Sequence, residues 1–360
     1  MSKIDLNKLF SEKLRGLKAY EVKNIDCVIK LHANENPYPP PADLMDLFRK
    51  TLEDFRLNRY PDPDCLELKE TVSERLNVPV ESLVIGNGSD ELIQLIQQVF
   101  CDPVDTIAFP DPTFAMYAIL AEGQGICPAT IPLDERWDFK AEQFEEAIQN
   151  RNARVLFISY PNNPTGNCFS YNEILKLIET FPGIVVVDEA YYDFSKKTFA
   201  RELNKHNNLI IIRSFSKIGL AGLRVGYAIA HPEIIRQINK VRLPYNSNTV
   251  SQVLTTQLLK NFSIIQNQID TIVQERNRLF EALSKIESLT AFPTDSNFIL
   301  FRVDNEGEAF FNKLIENGIL VRYLGSHPKL ENCLRVTVGT PRENHQFLEK
   351  ATSIMCSTTA

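Results

Sequence analysis

The sequence predicts an α/β protein, with a large domain built on a mostly parallel central sheet between helices and a smaller α+β domain. Three observations carry this. Short apolar, β-branched runs recur through the first two thirds of the chain, amphipathic stretches separate them, and the rhythm changes after about residue 250. Runs that are apolar at successive positions, rather than at alternate ones, belong to strands buried on both faces, and helices between them supply the crossovers of a parallel sheet.

The strand-like runs are "SLVIG" (82–86), "DTIAF" (105–109), "RVLFISY" (154–160), "GIVVVDEAY" (183–191), "NLIIIRS" (208–214) and "VGYAIA" (225–230). Helical periodicity is clear in "DELIQLIQQVF" (90–100) and "SYNEILKLIETF" (170–181). Beyond them, one long helical stretch over 249–287 leads to "SNFILFRV" (296–303), a helix near 307–316, "GILVRY" (318–323) and "CLRVTVGT" (333–340). The expected division is 1–45 as an N-terminal arm and part of the small domain, 46–250 as the large domain, and 251–360 as the small domain.

Bulk properties exclude several functions. The 360 residues are 44% hydrophobic and 24% charged, with a formal net charge of -7 and no basic patch to suit a phosphate backbone. Seven scattered cysteines (27, 65, 101, 127, 168, 333, 356) form no CxxC or Cys/His cluster, so neither a metal site nor a disulfide framework is expected. The N-terminal segment lacks a signal-peptide core, and no apolar run approaches the roughly 18 residues of a membrane span. A cytoplasmic protein with reduced thiols is the expectation.

Ligands of open α/β sheets sit outside the carboxyl ends of the strands. The segments just past the runs are chemically uneven: "GNGSDE" after 82–86, "PDPTFAMY" after 105–109, "PNNPTGN" after 154–160, with "DEAYYD" closing 183–191 and "SFSK" closing 208–214. These groups meet the demands of pyridoxal 5'-phosphate. Lys217 offers the amine for a Schiff base and a proton carrier. Asp188, ending four aliphatic residues, offers the acid for the pyridine nitrogen. Asn163 and Tyr191 offer donors to the phenolic oxygen, and Phe114 a ring to lie over the cofactor face. Gly88, Ser89 and Asp90 open a helix whose N-terminal amides suit a phosphate. Ser214, Ser216 and Arg224 would close that cradle.

Taken in order, "YPNNPTG", "VVVDEAYYDF" and "SFSKIGLAGLRVGY" resemble the fold-type I pyridoxal-phosphate aminotransferases, over nearly the whole chain. Within them, "KLHANENPYPP", "NRYPDPDCLELKE" and "LRVTVGTPREN" are most similar to the histidinol-phosphate aminotransferase family. The resemblance implies transamination between L-histidinol phosphate and 2-oxoglutarate in histidine biosynthesis. It implies Tyr20, Asn36, Arg322 and Arg335 as substrate-binding residues. It also implies a homodimer in which Tyr60 reaches the cofactor phosphate of the neighbouring subunit. The sequence departs from the family pattern once: Lys217 and Arg224 are seven positions apart, where the pattern has eight. An aromatic amino-acid aminotransferase and a threonine-phosphate decarboxylase are alternatives on the same scaffold. A cofactor-sensing regulator would need a DNA-binding domain, for which the roughly 30 residues before His32 leave too little chain.

Overall fold

The structure, a computed structural model, describes residues 4–14, 17, 25–53, 56–145, 149 and 151–358. Its centre is a seven-stranded sheet of β2 (Leu83–Gly86), β3 (Thr106–Asp111), β4 (Cys127–Pro132), β5 (Ala153–Ser159), β6 (Ile184–Asp188), β7 (Leu209–Ser214) and β8 (Gly226–Ala230). The spatial order is β2-β8-β7-β6-β5-β3-β4. Only β8 opposes the other six, pairing antiparallel with both β7 and β2. Its reversal has a consequence for the site, because β8 starts at the rim where its neighbours end.

Strand composition explains the burial. Leu156, Ile158, Val185, Val187, Leu209 and Ile211 enter one hydrophobic cluster. Val155, Phe157, Val186, Ile210 and Ile212 enter another. Successive side chains point to opposite faces of a strand, so a run with no polar alternation must be covered on both sides. Helices α3 (Ser89–Phe100), α4 (Met116–Gln124), α5 (Tyr171–Thr180) and α7 (Pro232–Val241) come after strands of this sheet, with a single turn, α6 (Tyr192–Ser195), after β6.

Beyond residue 250 the expected single helical stretch is two helices, α8 (Thr249–Lys260) and α9 (Ser263–Leu283). The break falls at Asn261, whose side chain donates to the Gln257 carbonyl and competes with helical continuation. A four-stranded antiparallel sheet comes next, ordered β12 (Arg322–Tyr323), β13 (Cys333–Thr337), β10 (Phe298–Val303), β9 (Leu289–Ala291). Helix α10 (Gly307–Glu316) packs on it, and α11 (Pro341–Thr358) packs against α9 and α10. The run "GILVRY" is two pieces: β11 (Ile319–Leu320) pairs in parallel with β1 (Ile29–Lys30), and β12 pairs with β13. Thus the N-terminal segment before α1 (Ala42–Leu52) and α2 (Leu66–Leu76) is tied to the C-terminal third. Among the described residues no helix is long and apolar enough to cross a membrane.

Candidate active site

One cavity of about 420 Å³ opens where the carboxyl ends of the parallel strands meet the C-terminal third. Ser89 reaches it from the turn after β2, Phe114 from the loop after β3, and Asn163 from the loop after β5. Asp188 ends β6, Tyr191 lies three residues beyond it, and Ser214, Ser216 and Lys217 come from the end of β7. Arg224 precedes the reversed β8, and His32, Asn34, Arg322, Tyr323, His327 and Arg335 close the other side.

Asp188 is only 3% exposed. Burial pushes its carboxyl up to about 6, against a Tyr117 hydroxyl at 2.8 Å on Oδ2 and the Ala190 N–H at 3.1 Å on Oδ1, which favour the charged form. Its neighbour Glu189 faces away, paired with Arg213 at 2.8 Å and accepting from Thr198 and the Phe199 N–H. The Arg213 guanidinium lies 3.6 Å from the Tyr192 ring centre. This buried pair ties the end of β6 to the end of β7, which holds Asp188 and Ser214 in fixed relation.

Lys217 is half-buried, and burial, then the charge of Arg335, bring its amine down to about 8. A lysine in that range supplies both a neutral nucleophile and a proton carrier near neutral pH. Tyr191 accepts from the Asn34 side-chain amide at 2.9 Å, and burial raises its phenol. Arg335 donates to the Asn163 amide oxygen and, at 2.9 Å, to the His32 carbonyl. The amide nitrogen is then the donor that Asn163 can offer. Arg322 is the cross-strand partner of Arg335, so two guanidinium-bearing residues sit directly opposite each other at the cavity wall. Like charges in that arrangement repel unless an anion lies between them.

Glycines allow a close approach between the turn after β2 and the start of β8. Gly226 packs so closely that a Cβ there would lie 2.8 Å from the Ser89 nitrogen. Gly88 has φ +82°, and a Cβ on it would lie 2.6 Å from Arg224 Nη2. Arg224, itself left-handed at φ 53°, donates to Ser216 at 3.3 Å and to Asp90 at 3.0 Å. The loop that is one residue short therefore still delivers Arg224 to the start of α3. An amine, a buried acid, two polar donors, an aromatic face and a helix N-terminus with glycines and an arginine are a donor set that fits pyridoxal 5'-phosphate.

Residues 26–350 match the family described as "Aminotransferase class I and II". The chain belongs to the class I and II aminotransferase family. Among relatives of this aminotransferase, the "Histidinol-phosphate aminotransferase" of Caldanaerobacter subterraneus subsp. tengcongensis is 36% identical over 351 residues, covering 97% of this chain and 99% of the relative. "Histidinol-phosphate aminotransferase 2" of Nitrosococcus oceani is 40% identical, with 94% of each chain covered. A crystal structure of the histidinol-phosphate aminotransferase from Clostridium acetobutylicum superposes with a TM-score of 0.84 at 25% identity, over 92% of this chain and 100% of that one.

The structure places three sequence-nominated residues of this aminotransferase away from the cavity. Asn36 is one: its amide donates to the Ile218 carbonyl at 3.1 Å and to Gln268 at 3.0 Å, in a separate cleft, so it braces the segment after Lys217. Tyr60 is another, 80% exposed and stacked on Tyr245 at 4.5 Å. The third, Gly88, packs against the Arg224 guanidinium rather than forming the cavity wall. Tyr20 lies outside the described residues. Conversely, Asn34, His32, Tyr117, Tyr323 and His327 were not singled out from sequence. Asn34 and Tyr117 carry no local signal of their role, since their partners Tyr191 and Asp188 are 157 and 71 positions away.

Proposed function

We propose that this aminotransferase uses pyridoxal 5'-phosphate to move an amino group between L-histidinol phosphate and 2-oxoglutarate, a step of histidine biosynthesis, in the cytoplasm. The observation that carries it is a half-buried lysine, Lys217, in one cavity with a buried aspartate and two cross-strand arginines. The 36% to 40% identical relatives named for this activity support the choice of donor.

Bound in the cavity, the cofactor supplies an aldehyde for the amino group and a ring that delocalises the electron pair left when the substrate Cα–H bond breaks. The chain's own residues do the rest. Lys217 Nζ, brought down to about 8, takes the proton from that carbon. Asp188 accepts the hydrogen bond of a protonated ring nitrogen, and ionising beside that charge relieves the cost of its burial. Asn163 and Tyr191 donate to the phenolic oxygen, and Ser89, Ser214, Ser216 and Arg224 bind the phosphate. Arg335 grips the glutamate carboxylate or the donor's phosphate ester through its planar fork, and Arg322 opposite adds the charge that a dianion needs.

The working unit is a homodimer. Tyr60, Leu57 and Leu243 are strongly exposed, and Tyr60 stacks on Tyr245 at 4.5 Å, which brings their two segments together on one surface. Tyr60 on that surface serves the partner's phosphate cradle.

A half-reaction panel tests the proposal. Holoenzyme mixed with histidinol phosphate or glutamate converts to its amino form, and phenylalanine and phosphothreonine do so far more slowly. Lys217→Ala abolishes the conversion and the borohydride-trapped adduct. Preference for phenylalanine, or carbon dioxide release from phosphothreonine, would replace the substrate assignment.

A further inference from the structure

Asp188 has a hydrogen-bond partner whose own position is unusually constrained. Tyr117 lies three residues beyond Phe114, on the first turn of α4, and is fully buried. Its ring stacks on Phe157 of β5 at 4.9 Å and 20°, and meets Phe114 edge-on at 5.7 Å. Its hydroxyl donates to Asp188 Oδ2 at 2.8 Å. Behind it, the fully buried Gln97 of α3 donates to the Tyr117 carbonyl at 2.9 Å and accepts from Gln124 at 2.9 Å. The buried Gln97 amide and the half-buried Gln124 amide thus lock α4 against α3, with the tyrosine hydroxyl extending from α4 to the carboxylate.

Buried polar groups without partners are costly, and every member of this chain has one. An apolar side chain on α4 would fill the same volume, so packing alone does not call for a hydroxyl there. Other ionisable groups near Asp188 are engaged with their own partners. Asp90 pairs with Arg224, Glu189 with Arg213, and Tyr191 accepts from Asn34.

We propose that Tyr117 is a positioning residue for transamination: its hydroxyl aims Asp188 and keeps it ionised against the cofactor's ring nitrogen. The inference rests on reading the cavity as a pyridoxal-phosphate site. It goes beyond that reading by assigning a function to a residue that lies outside the cavity wall. The direction of the Asp188 titration agrees, since the Tyr117 hydrogen bond lowers what burial raises.

Tyr117→Phe keeps the ring, its stacking and the backbone bond to Gln97, and removes only the hydroxyl. The test compares binding of pyridoxal 5'-phosphate with that of its 1-deaza analogue, which has carbon in place of the ring nitrogen. A lost hydrogen bond to a charged group corresponds to roughly tenfold or more. Tyr117→Phe is therefore expected to weaken pyridoxal 5'-phosphate about tenfold and leave the deaza analogue unchanged, so the analogue also checks the fold. In the cofactor-free protein, the infrared carboxyl band absent from Asp188→Asn titrates at higher pH in Tyr117→Phe. Equal weakening of both ligands would reduce Tyr117 to a structural role and overturn the proposal, as would no weakening. A wild-type protein that fails to distinguish the two ligands would remove the Asp188 contact, and the cavity reading with it.

Discussion

Asp188→Asn should stabilise the cofactor-free protein while disabling it. The carboxyl moves from 3.8 to about 6 through burial. The folded state therefore holds its proton more tightly than the unfolded chain. Stability contributed by the protonated form is present below pH 3.8 and is lost as pH rises through 6. A shift of roughly two units is about 3 kcal/mol at pH 8, and about 1.6 kcal/mol at pH 5, where the unfolded chain has ionised and the folded one has not. Asparagine carries no charge to desolvate. Its oxygen can accept from the Ala190 N–H, and the Tyr117 hydroxyl can accept from its nitrogen. With unfolding entropy near 2.1 cal/mol/K per residue, the gain at pH 8 is a Tm about 4 °C higher. Thermal unfolding of both cofactor-free proteins between pH 5 and 8 is the assay. A variant no more stable than wild type at pH 8, or a difference that does not grow with pH, would refute the desolvation argument. Saturating cofactor should reverse the order, because its protonated ring nitrogen stabilises only the aspartate.

The geometry sets two other outcomes. Gly88→Ala places a methyl 2.6 Å from Arg224 Nη2 at φ +82°, so cofactor affinity by absorbance titration should fall roughly tenfold, whereas Gly123→Ala, with open space around it, should not change affinity. If each site takes Tyr60 from the partner, mixing inactive Tyr60→Ala and Lys217→Ala proteins recovers roughly one quarter of wild-type activity after random subunit exchange, and no recovery after proven exchange would reject the shared site.

The legible part of the fold is what one strand or helix dictates locally. Val185–Val187 and Ile210–Ile212 are apolar at every position, and both faces of those strands are covered. The edge strand β4 escaped notice because Pro128 and Pro132 interrupt its pattern, which only a sheet edge tolerates. Similarly, "GILVRY" reads as one strand, yet its halves join different sheets because β1 and β13 claim them separately.

The candidate site divides along the same line. Lys217, Asp188, Ser89 and Asn163 each stand at or just past a strand end, where the parallel-sheet rule alone sends them to a common rim. Asn34 on Tyr191 and Tyr117 under Asp188 are contacts between segments far apart in the chain, and the facing of Arg335 and Arg322 depends on the register of β12 on β13. Sequence alone determined which chemical groups stand at the strand ends, because periodicity and strand direction are local properties. Tertiary structure decided which distant side chains brace them, because a hydrogen bond over 2.8 Å depends on how elements pack and leaves no periodic trace along the chain.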